Sequence, residues 1–167
     1  MFQTGDAIQY SGSGVCIIQE ITTMRFGRTR EQYYVLKPLH QNTSVIYVPV
    51  KNEQLVSKMR PILSSDEVDA LVEQIDSAEP IWDDDMNQRK LLFDEMIRSG
   101  SCISLIRIIK SLLLQRSRRQ ADGKTLHVSD ENYLREAQRL LYDEIAAVLG
   151  KTPKEVEGML KEKFSDS

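Results

Sequence analysis

The stretch SCISLIRIIKSLLLQRSRRQADGK, Ser101–Lys124, decides how this chain is organised. Up to Gln115 it places Ile103, Leu105, Ile106, Ile108, Ile109, Leu112, Leu113 and Leu114 around most of a helical circumference. A helix that is apolar on most sides must be packed on most sides, so this segment is expected to be the central helix of its domain. The composition then changes abruptly, as Arg116, Arg118 and Arg119 lead into Asp122-Gly123-Lys124. Two readings of this basic tail stand: a solvated loop after a buried helix, or an edge that binds phosphates.

Upstream of the central helix, Ser64 and Glu67 form a capping-box pattern, and Val68, Leu71, Val72 and Ile75 give one apolar face, so a first helix is expected over 65–76. The segment DSAEPIWDDD, Asp76–Asp85, reads as a polar connector that holds the only tryptophan, Trp82. A second helix is expected from Asp84–Met86 to Arg98, with Leu91, Leu92, Phe93, Met96 and Ile97 as its apolar set. Downstream, Val128-Ser129-Asp130 opens a helix striped by Leu134, Ala137, Leu141, Ile145 and Val148, which Gly150 stops. Thr152, Pro153 and Glu155 then cap a last helix. Residues 64–165 therefore read as a compact domain of five helices.

Residues 1–63 read differently. GDAIQY, VCIIQEI, YYVLKPL and SVIYVPV are β-rich, while SGSG, FGRTREQ and HQNT read as loops or turns. The spacing suits five short strands in a small β-barrel or strongly twisted sheet, so the fold class is α+β. Pro49 has no amide hydrogen, which makes Ser44–Val50 an edge strand or a strand end. Such an edge could accept a strand from a partner through Ile46, Tyr47 and Val48, or Pro49 could simply blunt it against aggregation.

A net charge of −3 conceals strong segregation. Residues 65–100 hold three basic and eleven acidic side chains, whereas 101–125 hold six and one. That asymmetry suits a protein with more than one kind of partner. The N-terminus lacks the basic start and apolar core of a signal peptide and no run is long enough to span a membrane, so a cytoplasmic protein is expected. Cys16 and Cys102 are isolated among apolar residues and read as small buried hydrophobes, and His40 and His127 have no partner at ligand spacing. No metal or other cofactor is expected. Gly12-Ser13-Gly14 lacks the residues of a phosphate loop or a nucleophile elbow, and Asp83-Asp84-Asp85 suits a helix N-terminus better than a cation, so no enzyme is expected.

The order GDAIQYSGSGVCIIQEI, YYVLKPL and SVIYVPV, then Trp82, Arg98-Ser99-Gly100, the apolar helix and SDENYLREAQRLLYDEIA, resembles CarD/CdnL-type bacterial transcription regulators over residues 2–150. Their N-terminal module is shared with the transcription-repair coupling factor. The resemblance implies a Tudor-like β domain that grips the RNA polymerase β subunit, with contacts around Met24, Arg25, Ile46, Tyr47, Val48 and Pro49. It also implies a helical domain that meets promoter DNA at the upstream edge of the melted region, without sequence specificity. There Trp82 would act as a minor-groove wedge, with Arg89, Lys90 and the loop after the central helix on phosphates. Arg116, Arg118, Arg119 and Lys124 belong to that basic edge by their charge. The likeness favours a monomer located at the nucleoid through the polymerase. Three features depart from the pattern: Tyr47 stands where the family often has a basic residue, three aspartates follow Trp82, and the spacing from Trp82 to Gly100 is longer by a few residues. Repulsion between those aspartates and phosphates leaves packing of the ring onto the helical core as the alternative to the wedge. Two other classes stay open, a polymerase-bound adaptor that uses the acidic 65–85 surface and does not bind DNA, and a β-barrel RNA-binding module.

Overall fold

The computed structural model describes residues 1–40 and 44–165 and divides into two compact units, Met1–Ile62 and a second that begins at Leu63. The fold is α+β. The first unit contains strands β1 (Ala7–Tyr10), β2 (Gly14–Phe26), β3 (Thr29–Pro38), β4 (Ile46–Pro49) and β5 (Met59–Pro61), with a single helical turn α1 (Glu53–Val56) before β5. The strands form one antiparallel sheet in the order β4-β3-β2-β1-β5, so β4 is an edge, as Pro49 suggested. Ile8, Cys16, Ile18, Leu36 and Val48 are fully enclosed between them. Burial pushes the Cys16 thiol up to about 11, which keeps it an inert hydrophobe at neutral pH.

The sheet differs from the sequence reading at FGRTREQ. The segment was expected to be a polar turn, but only Gly27 and Arg28 turn, with Gly27 at φ 63°. Strand pairing continues on either side, through Met24 opposite Glu31, Arg25 opposite Arg30 and Phe26 opposite Thr29. This outer ribbon is solvated on both faces, so it shows no apolar alternation, and its periodicity was invisible in the sequence. The turn α1 was also missed; Asn52 caps it by accepting from the Leu55 amide at 3.1 Å.

The second unit contains α2 (Ser65–Gln74), α3 (Met86–Arg98), α4 (Cys102–Ala121), α5 (Val128–Leu149) and α6 (Pro153–Ser165). Both capping boxes form: Ser64 with Glu67, and Thr152 with Glu155, whose carboxyl is held below its usual range by the Thr152 amide and hydroxyl. Helix α4 is central, with Leu105, Ile106, Ile108, Ile109 and Leu112 buried against α2, α3 and α5. Its end corrects the reading of a basic loop. Arg116, Arg118 and Arg119 are helical, because arginine, serine and glutamine are adequate helix formers and cations suit a helix C-terminus. The chain leaves α4 only at Gly123 (φ 70°), where the Lys124 amide closes onto the Arg119 carbonyl at 2.8 Å.

Candidate functional site

Two surfaces carry the residues singled out in the sequence, one on each unit. On the β module, the Val50 amide donates to the Gln32 carbonyl at 2.9 Å. Alternation along an antiparallel ladder then points the backbone groups of Val48 and Ile46 toward β3, and those of Tyr47 and Pro49 away from it. The amide that Pro49 lacks would have faced outward, so the proline leaves the internal ladder intact and ends the open edge at Tyr47. The Pro49 carbonyl is taken by the Asn52 amide at 3.0 Å.

Side-chain alternation divides the six predicted residues of this module. Val48 is buried in the core and Ile46 packs against it, so both support the edge from beneath. Tyr47, Pro49 and Met24 share the opposite face with Phe26 and Tyr33, whereas Arg25 is on the other face of the ribbon and donates to the Gly27 carbonyl at 3.1 Å. Phe26 and Tyr33 were not predicted. Their ring centroids lie 5.7 Å apart, and Tyr33 lies 6.4 Å from Tyr47, which makes a continuous aromatic row from the ribbon to the edge. Phe26 is 59% exposed and Tyr47 47%, so this row faces solvent. Only the strand register, hidden in FGRTREQ, would have revealed it.

On the helical unit, the connector that carries Trp82 is strapped down by α4. Lys110, only 4% exposed, donates to the carbonyls of Ile75 at 2.6 Å, Ala78 at 2.8 Å and Asp76 at 3.2 Å. It thereby satisfies carbonyls at the C-terminal end of α2, where the helix dipole also favours a cation. Ser111 accepts the Ile81 amide at 2.7 Å, and Arg107 donates to the Glu79 carbonyl at 3.0 Å. Positions 107, 110 and 111 form one polar stripe on an otherwise apolar helix. That spacing was the available signal, and the abundance of isoleucine and leucine masked it.

Trp82 is partly buried and packs on the helical core, edge-to-face with Phe93 at 6.5 Å. The Arg89 guanidinium lies over its ring at 4.2 Å. Arg89 is in turn enclosed. It pairs bidentately with Asp130 at 3.0 and 2.9 Å and donates to the Asp83 carbonyl at 2.8 Å. Arg89 was expected on a phosphate; here its donors go to Asp130 and the Asp83 carbonyl inside the domain, and its face covers the Trp82 ring. Two of the three aspartates after Trp82 also have local partners, since Asp85 caps α3 through the Gln88 amide and Asp83 accepts the Asp85 amide.

The other basic candidates are distributed by the turn of α4. Arg119 joins Trp82, Arg89, Gln115 and His127 around a recess of about 150 Å³, and its Nε donates to the Thr125 carbonyl. Arg118 and Lys124 are exposed, whereas Arg116 lines a separate groove toward α6. Lys90 is partly buried on α3, where its carbonyl faces the Tyr133 hydroxyl, which donates to Asp94 at 2.6 Å.

The CarD-like/TRCF RID domain family matches residues 2–63, and the CarD C-terminal domain family matches residues 70–161. The chain belongs to the CarD family. Among curated relatives, it is 26% identical to the protein named "Putative transcription factor YdeB" of Bacillus subtilis (strain 168), over 93% of this chain and 97% of that protein. CarD-family proteins are transcription regulators associated with RNA polymerase, and both family domains are present here in order. No helix among the described residues is long and apolar enough to cross a membrane.

Proposed function

We propose that this CarD-family protein docks its β module on the RNA polymerase β subunit through β4, and presents Trp82 of its helical domain to promoter DNA at the upstream edge of the transcription bubble, where it slows closure of the open complex. The observation that carries this reading is the open edge at Tyr47 beside an exposed aromatic row. A strand added at Tyr47 would gain backbone hydrogen bonds from the edge, and its side chains would cover Met24, Tyr33 and Tyr47. On the helical domain, Trp82, Arg119, Arg118 and Lys124 supply an aromatic ring and cations, a set that meets deformable steps and phosphates without reading sequence.

Tyr47→Pro tests the docking edge. It removes the outward amide but leaves the inward bonds of Ile46 and Val48, so the module should stay folded while its affinity for a purified β-subunit fragment falls at least about tenfold, equivalent to ~1.4 kcal/mol. Calorimetry that finds unchanged affinity would remove the edge from the mechanism. Val48→Pro would instead break the internal ladder, because the Val48 amide faces β3.

For the DNA half, Trp82→Ala is expected to shorten the lifetime of the promoter open complex severalfold at temperatures well below the melting point of the variant. An unchanged lifetime would reduce Trp82 to a packing residue and favour the adaptor without DNA contact.

A further inference from the structure

Helices α4 and α6 both pack on α5 and leave between them a groove of about 640 Å³ that neither surface described above uses. Its apolar lining comes from Leu113, Leu114, Tyr142 and Phe164. Leu114 is 37% exposed, so the central helix keeps an apolar residue that the domain itself does not cover. Burial, with the nearby Glu157 carboxylate, pushes the Tyr142 phenol up to about 12, so this residue stays a neutral part of the apolar lining. The basic residues are Arg116, Lys154 and Lys161, against the single acid Glu157.

Gly158 lines the same groove in the middle of α6. A Cβ there would meet nothing within 4 Å, and its backbone is not in the left-handed region, so neither packing nor conformation calls for glycine. Glycine weakens a helix interior relative to alanine. Its use is explained if something outside the chain approaches α6 more closely than a side chain would permit.

We infer that this groove receives an acidic amphipathic helix from a partner protein. Carboxylates would meet Arg116, Lys154 and Lys161, apolar residues at i, i+3, i+4 and i+7 would cover Leu113 and Leu114, and the incoming backbone would cross α6 at Gly158. Duplex DNA satisfies only the first of these conditions. It has no apolar face for the lining, and Glu157 would repel its phosphates.

The test uses the full-length protein, isotopically labelled, and a synthetic helical peptide with leucines in heptad positions and glutamates elsewhere. The glutamate peptide is expected to bind saturably, to shift amides at the end of α4 and along α6, and to bind at least tenfold more tightly than the same peptide with lysines. Gly158→Leu should weaken that binding at least tenfold without lowering the melting temperature, and Arg116→Glu with Lys161→Glu should do the same by charge should the leucine perturb α6. Absence of saturable shifts in the groove, equal affinity for the lysine peptide, or displacement of the glutamate peptide by a duplex oligonucleotide would each overturn the inference.

Discussion

Replacement of Arg89 by alanine is expected to destabilise the helical domain by about 3–5 kcal/mol, the range for breaking one partner out of a buried ion pair. The Arg89 and Asp130 side chains are only 4% and 3% exposed, so deleting the guanidinium leaves an uncompensated carboxylate in the core, and the Asp83 carbonyl loses its donor as well. The Trp82 ring loses the cation above it at the same time. The pair itself is not an asset of the same size, since its attraction is largely offset by desolvation. The double variant Arg89→Met, Asp130→Leu should therefore recover most of the stability. Thermal and urea unfolding of the two variants measure this directly. If Arg89 instead served as a phosphate contact, the single variant would leave stability nearly unchanged and lower the salt dependence of DNA binding by about one charge. That result would place the guanidinium outside the domain.

The second large effect is expected at Lys110. Lys110→Met keeps the length and apolar stem of the side chain but abandons three carbonyls, at Ile75, Asp76 and Ala78, of which the first lies in a buried bond and the other two in part-buried ones. Each unsatisfied buried acceptor costs about 1–3 kcal/mol, and partial hydration after local opening limits the total to about 3–4 kcal/mol. The loss should be local before it is global. Trp82 is the only tryptophan, so its emission should shift to the red, and the Ile81 amide should lose protection from hydrogen exchange, while the amides of α4 keep theirs. Fluorescence and exchange that match the parent protein would show that the strap does not hold the connector.

Sequence patterns revealed this fold wherever burial was one-sided. The stripes of α2, α3, α5 and α6, apart from Leu91 of α3, which is 61% exposed, together with the two capping boxes and the edge position of β4, follow from spacing, Pro49 and Gly150. The patterns failed where solvent lies on both faces, as in the β2–β3 ribbon, or where an element is too short to show a period, as in α1. At the candidate site, residue types were legible but their assignments were not. Arg89 and Arg118 look alike in a list of basic residues, yet one is sealed against Asp130 and the other is exposed. The difference rests on Asp130, forty-one positions away, and no local pattern links the two. In the sequence Asp130 reads only as part of a helix start.

The bonds from Arg107, Lys110 and Ser111 to the connector also bear on how tightly Trp82 can bind. A free loop of that length would surrender about 1–2 kcal/mol of backbone entropy for every residue ordered at the moment of contact. In this chain the connector is immobilised when the domain folds, so the tryptophan meets any surface preorganised, and association carries little of that entropic cost.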